Sequence, residues 1–264
     1  YANLSKVFAQ SDHDGARFVQ MGVPRELVTV HPNLKWDRDP FGHEDGGSIR
    51  LALRLDPTRP LVLFASSAPE EHQLFAKSIP SRCQAVIAPR RPEWFDDALR
   101  AFPNARMRTD LHASGDTVVL NTLGELDAVF PLADVVVMGR SFGQRHGSDP
   151  MGPASAGKPT LIGPNHGDFL PAVNALKTEG ALQVVLANDL PSRLSDLTSC
   201  QKTLTRMGEA GERVATAAQG VACMLANEIA RQTQPPRRDR GGAEEKEESM
   251  HQGAQSTSAA GGLD

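Results

Sequence analysis

The sequence predicts an α/β fold, a Rossmann-like doubly wound parallel sheet followed by helices and a polar tail. Two patterns carry this. Short apolar runs recur at Leu61–Ala65, Gln84–Ala88, Thr117–Leu120, Asp134–Met138, Pro159–Gly163 and Ala181–Leu186, without the polar alternation of a half-exposed strand. Continuous runs of this length suit strands covered on both faces. Helix-like segments such as Pro92–Ala101 and Phe169–Thr178 separate several of them, and strand–helix–strand succession builds parallel sheets with right-handed crossovers.

The elements follow in order. Ser11, with Asp12 and Asp14 behind it, is a capped start for a helix over Ser11–Met21, which Gly22 and Pro24 stop. A short strand is expected at Leu27–Val30, then an Asp/Gly/Pro-rich linker over Asp37–Gly47. Residues 46–188 form the sheet domain. Two helices, Leu190–Met207 and Glu209–Gln232, fill residues 189–232, and the alanines of the second favour helix strongly. The stretch 233–264, Pro-Pro-Arg-Arg followed by mixed charge and Gly/Ser/Ala, has too little apolar surface to offset its ordering entropy, so disorder is expected there.

Composition excludes some classes. A formal net charge of -4 over 264 residues gives no electrostatic reason to expect nucleic acid. Cys83, Cys200 and Cys223 are odd in number and far apart, which fits neither a disulfide framework nor metal-ligand spacing and suits a reducing cytosol. No apolar run approaches the ~20 residues that span a bilayer, so the chain itself is expected to be soluble. Tyr1 opens on what reads as the middle of a fold, and an upstream region is expected.

In an open parallel sheet the ligand lies beyond the carboxyl ends of the strands. The polar residues there are Ser66 and Ser67, Arg90 and Arg91, Asn121 to Glu125, Gly139 to Gly143 with Ser148 and Asp149, and Asn165 with His166. Hydroxyls, arginines and helix starts converging on one edge suit an anion such as a phosphate. Neither a Gly-x-Gly-x-x-Gly fingerprint nor a Walker A loop is present, so NAD and ATP are not favoured. Duller readings stand beside these. Thr122 and Glu125 have capping-box spacing, Asp149-Pro150 suits a helix start, and paired loop arginines are commonly solvated. His146 and His166 read as ordinary loop histidines, and no nucleophile stands out.

Five collinear stretches across residues 8–169 resemble the Kdo (3-deoxy-D-manno-octulosonic acid) transferases of lipopolysaccharide assembly. They are Phe8-Ala-Gln-Ser-Asp-x-Asp14 with Asn33-Leu-Lys-Trp-Asp37; Ala65-Ser66-Ser67; Pro89-Arg90-Arg91-Pro92-Glu93-Trp94-Phe95; Asn121-Thr122-Leu123-Gly124-Glu125-Leu126; and Gly147 through Asp149-Pro150 to Gly163-Pro164. The resemblance implies a GT-B glycosyltransferase. Residues 1–45 would close its N-terminal acceptor domain and residues 46–188 would be its donor-binding domain. Ser66, Ser67, Arg90, the Thr122–Glu125 stretch (with Leu123 and Gly124) and Asp149 would hold CMP-Kdo, with Asn33 and Lys35 facing the cleft. The acidic catalytic residue is expected in the absent N-terminal region. No metal or cofactor is expected. The implied partners are the nucleotide-sugar donor and a lipid A precursor, at the cytoplasmic face of the bacterial inner membrane.

This chain departs from the family pattern at Ala68 and Arg91, each in place of a His, and at Asn121 in place of an Asp. The most consequential departure is Gly152, where the family carries a Glu that would grip the ribose. Another GT-B transferase or epimerase using a UDP- or GDP-sugar, or a non-catalytic nucleotide-binding relative, therefore stays open as an alternative.

Overall fold

The computed structural model describes residues 3–37, 46–102, 104–110 and 112–233. A small N-terminal layer comes first: β1 (Val7–Ala9), α1 (Asp12–Gln20) and β2 (Val28–Val30), the two strands pairing in parallel. The Ser11 hydroxyl accepts the Asp14 N–H at 3.1 Å, so the expected cap is present. Gly22, at φ +93°, closes the helix in a conformation that suits glycine. A 3-10 turn, Leu34–Asp37, follows β2. The linker expected at Asp37–Gly47 lies almost wholly outside the described residues, as does the tail beyond Thr233.

The main body begins with α2 (Gly46–Ala52), β3 (Leu61–Ser67), α3 (Pro69–Ser78), β4 (Gln84–Pro89), α4 (Phe95–Ala101), β5 (Ala105–Met107) and β6 (Thr117–Val119). It continues through α5 (Leu126–Val129), β7 (Val135–Met138), α6 (Met151–Ser155), β8 (Thr160–Ile162), α7 (Leu170–Thr178) and β9 (Leu182–Val184). Among the described residues, seven parallel strands lie in the order β5-β6-β4-β3-β7-β8-β9. The chain enters at β3, builds outward through β4, then returns to β7 on the other side. That reversal makes the carboxyl ends of β4, β3 and β7 a topological switch point.

The apolar runs are continuous because both faces of the sheet are covered. Leu61, Leu63, Val86, Val118, Val136 and Ile162 pack on one side, against residues that include Ile49 of α2, Val173 and Leu176 of α7, and Ala210 and Ala215 further on. Val62, Phe64, Ala85, Ile87, Val137 and Leu161 pack on the other, with Phe75, Ala98, Leu190 and Leu194. Each fully buried side chain of this size contributes about 1.5–3 kcal/mol. The Asp134 carboxylate accepts the Leu61 N–H at 2.7 Å and fixes the start of β3 beside β7.

Two short strands, β1 and β5, were not expected. The C-terminal helices also differ from expectation, being three rather than two among the described residues: α8 (Leu190–Thr198), α9 (Gln201–Ala217) and α10 (Val221–Thr233). Gly208 is not a break but an interior residue of α9, where a Cβ would meet the Gly157 carbonyl oxygen at 2.2 Å. The helix needs glycine there for close packing. The true stop is Gly220, at φ +88°. Both Asp37 carboxylate oxygens accept N–H groups at this stop, from Gly220 at 2.6 Å and from Ala222. A second unit begins at Cys223, within α10, and there Met224 and Ile229 are 48% and 53% exposed.

Candidate functional site

The ends of β4, β3 and β7 come together through two unusual backbone positions. Ser66 has φ +56° and is left out of register, since Ala65 pairs Ala88 while Ser67 pairs Pro89. This bulge turns Ser66 toward the switch point and Ser67 into the core. Beside it, Gly139 packs so tightly that a Cβ would lie 2.6 Å from the Ser67 Cα. Arg140 follows at φ +62°, a conformation in which a non-glycine side chain is uncommon.

One side chain pins this arrangement. The Glu71 carboxylate on α3 is buried and accepts four backbone N–H groups: Ala68 at 3.0 Å, Arg140 at 2.7 Å, Ser141 at 2.8 Å and Phe142 at 3.0 Å. Burial pushes its carboxyl above the usual Glu range, against the pull of these donors. Its neighbour Glu70 instead faces outward and pairs with Arg145 at 2.6 Å.

Around the switch point lies a cavity of about 610 Å³. Ser66, Arg90, Arg140, Ser148 and Asp149 line its sheet side, Thr122, Leu123, Gly124 and Asp127 a second side, and Asn33, Lys35 and Trp36 face it from the N-terminal segment. Apolar contact comes from Leu120, Leu126, Phe130, Met138, Met151 and Phe169. The volume lies within the range of small-ligand pockets, and the lining mixes apolar walls with convergent polar and charged groups.

Eight of the ten expected site residues therefore meet in one place: Asn33, Lys35, Ser66, Arg90, Thr122, Leu123, Gly124 and Asp149. Ser67 does not. Its hydroxyl contacts His72 Nε2 at 3.1 Å, and His72 Nδ1 contacts Asp97 at 2.9 Å. Ser67 and His72 are fully buried, so this Ser–His–Asp chain ties α3 to α4 and presents no nucleophile. Burial lowers the His72 pKa from its ordinary value, while Asp97 pulls the other way.

Glu125 is also absent from the lining. It takes the Thr122 hydroxyl and pairs with Arg108 at 3.3 Å. The expected capping box at Thr122–Glu125 does not form, because α5 is a single turn beginning after Glu125 and no side chain caps it. Glycine at φ +88° in position 124 keeps this stretch a loop. Helix α6 begins at Met151 with Pro150 in the cap position rather than as its first residue, while Asp149 accepts the Met151 N–H at 3.0 Å and Trp36 Nε1–H at 3.1 Å. The indole thus fastens the N-terminal segment to the rim of the cavity. Of the paired arginines, Arg91 lies over the Trp94 ring at 5.3 Å and contacts Glu93, leaving Arg90 to the cavity.

Three contributors were given no role in the site from the sequence, although Arg140 and Ser148 stood among the polar residues expected after the strand ends. Trp36 and Arg140 needed the fold to place them. Ser148 is buried, with a hydroxyl that has no hydrogen-bond partner among the described residues. An orphan hydroxyl lining a cavity is suited to a ligand oxygen. Gly152 also lines the cavity, and a Cβ there would meet the Phe130 ring at 2.8 Å. The space a side chain would take at 152 is filled by this aromatic ring.

The chain is 28% identical over 203 residues to a 3-deoxy-D-manno-octulosonic acid transferase of Bordetella pertussis, covering 68% of this chain and 45% of that protein. It is 25% identical over 231 residues to the transferase of the same name from Haemophilus influenzae, covering 81% and 54%. The chain thus spans about half the length of the curated relatives it matches. Among solved structures, the C-terminal CMP-Kdo binding domain of WaaA from Acinetobacter baumannii superposes with a TM-score of 0.58 at 20% identity, covering 64% of this chain and 95% of that one. Anabaena HepE in complex with UDP superposes at 0.55 and 15% identity, covering 86% and 63%. No family model matches. The fold is that of the GT-B glycosyltransferases, and the chain is Kdo transferase-like.

Proposed function

We propose that this chain is the donor-binding half of a glycosyltransferase that takes CMP-Kdo and passes Kdo to a lipid A precursor at the cytoplasmic face of the bacterial inner membrane. The observation that carries the reading is the convergence of Arg90, Ser66 and Ser148 at the switch point, opposite Asn33, Lys35 and Trp36, around one cavity of about 610 Å³. A guanidinium and hydroxyls are what a nucleoside monophosphate leaving group requires. Negative charge grows on the phosphate as the glycosidic bond breaks, and fixed donors stabilise it. The apolar wall of Leu120, Met138, Met151 and Phe130 supplies contact for the nucleoside. No residue of this chain is assigned the role of base toward the acceptor hydroxyl. The acceptor and the membrane association rest on the likeness to the Kdo transferases.

Phe130 over Gly152 favours a second reading, a donor with a different nucleotide, because no carboxylate can reach a ribose from position 152. Calorimetric titration of CMP, UMP and GMP separates the two. The first reading expects saturable binding with CMP preferred, weakened about 10- to 150-fold in Arg90→Ala, the cost of losing one charge-assisted contact. Preference for UMP or GMP would replace Kdo with another donor. Affinity unchanged in Arg90→Ala would overturn the site assignment itself.

A further inference from the structure

We propose that Arg140 is a donor-binding residue that holds a second anionic group of the nucleotide sugar, separate from the phosphate assigned to Arg90. The inference rests on the donor-site reading above and adds to it a ligand with two negative groups.

Three observations converge. Arg140 occupies the left-handed region at φ +62°, where glycine is the default residue because a side chain is strained there. Such positions persist when the surrounding structure over-determines them. Here the backbone is held on both sides: the Arg140 N–H donates to Glu71 at 2.7 Å, and its carbonyl accepts the Gly147 N–H at 2.8 Å. The same Glu71 carboxylate also takes the next two N–H groups, Ser141 and Phe142. Tight anchoring fixes where the side chain leaves the backbone.

The second observation is the guanidinium. Arg140 is half-buried and lines the cavity, and among the described residues no hydrogen bond or ion pair engages its side chain. Other arginines nearby are occupied: Arg145 by Glu70 and the Trp94 ring, Arg108 by Glu125, Arg91 by Glu93 and Trp94. A guanidinium brought into a cavity without a carboxylate partner favours an anionic ligand there.

The third is placement. Arg90 follows β4 and Arg140 follows β7, with β3 and Ser66 between them. Two strand spacings separate them, roughly 10 Å at the backbone. Starting from opposite sides of β3, the two guanidinium groups are placed to bracket a phosphate and a further charged group. Two chemistries supply such a group: a second phosphate of a nucleoside diphosphate, or the carboxylate of an acidic sugar linked to a monophosphate.

The test uses Arg140→Gly, which removes the cation and relieves the left-handed backbone, so its unfolding midpoint is expected at or above that of the unaltered protein. Affinities of the unaltered chain, Arg140→Gly and Arg90→Ala are measured for CMP, CDP, UMP, UDP and CMP-Kdo at fixed ionic strength. The readout is the ratio of the affinity for a two-anion ligand to that for its monophosphate. Arg140→Gly is expected to collapse this ratio about tenfold or more. Arg90→Ala is expected to weaken all five ligands together. Collapse for CDP or UDP identifies a second phosphate, and collapse for CMP-Kdo alone identifies the sugar carboxylate. A folded Arg140→Gly protein with every ratio unchanged overturns this proposal and leaves the donor site standing. An unaltered chain that binds none of the five overturns both.

Discussion

Replacing Glu71 by Gln would leave the shape of the side chain and remove half of its accepting capacity. The carboxylate receives four N–H groups, two on each oxygen, and three of them belong to consecutive residues of the loop after β7. A carboxamide keeps one oxygen and turns an NH2 group toward the other two donors. Two bonds to a charged acceptor are lost, at about 1.5–3 kcal/mol each, while relief from burying a charge offsets part of this. A net loss of about 2–4 kcal/mol follows, which in a domain of this size lowers the unfolding midpoint by about 5–15 °C. The freed loop also carries Arg140, so nucleotide affinity falls with stability. The assay is thermal unfolding with and without ligand, and Glu70→Gln is its control. That residue's exposed pair with Arg145 is worth at most about 1 kcal/mol. A Glu71→Gln protein as stable as the control, with unchanged affinity, would refute the reasoning.

Other outcomes follow from the same contacts. Gly152→Ala pushes a Cβ against the buried Phe130 ring and is expected to cost about 1–3 kcal/mol in urea unfolding, less in a Phe130→Leu background. Equal costs in both backgrounds would show that the ring is not the obstacle. Gly208→Ala brings a Cβ into the Gly157 carbonyl and is expected to destabilise by a similar amount, whereas exposed Gly180 has no atom within 4 Å and resists substitution only through its φ of +76°. His72 is held below its ordinary 6.5 by burial, so its neutral form is the folded one. The unfolded chain then binds the proton more readily. This contribution to stability is complete above pH ~6.5 and is lost as pH falls through that value toward the folded pKa. Midpoints recorded from pH 7.5 to 5 should fall more steeply for the unaltered chain than for His72→Gln; the reverse order would contradict the assignment.

The sheet was legible because its strands are covered on both faces, which leaves unbroken apolar runs in the sequence. β5 escaped because it is three residues long with Arg106 at its centre, a buried charge that no hydropathy pattern announces. The helix break at Gly220 was misplaced at Gly208 because both are glycines in helical surroundings. Only φ at one and the Gly157 carbonyl at the other tell them apart. The site was legible as far as the switch-point rule reaches. Residues directly after strand ends, Ser66 and Arg90 among them, line the cavity, and the bulge that turns Ser67 away depends on register. Arg140 and Ser148 follow β7 in the sequence too, but their significance lies in a left-handed φ and an unpaired hydroxyl, both properties of the folded chain. Trp36 reaches Asp149 across 113 positions of sequence.

The most direct test of the central claim is a backbone amide NMR titration of the chain with CMP. Saturable shifts are expected at Ser66, Arg90, Leu123, Gly124 and the Ser148–Gly152 stretch, with the N-terminal Asn33–Trp36 segment joining them. Shifts clustered elsewhere on the fold, or none in a spectrum that shows a folded protein, would contradict the claim.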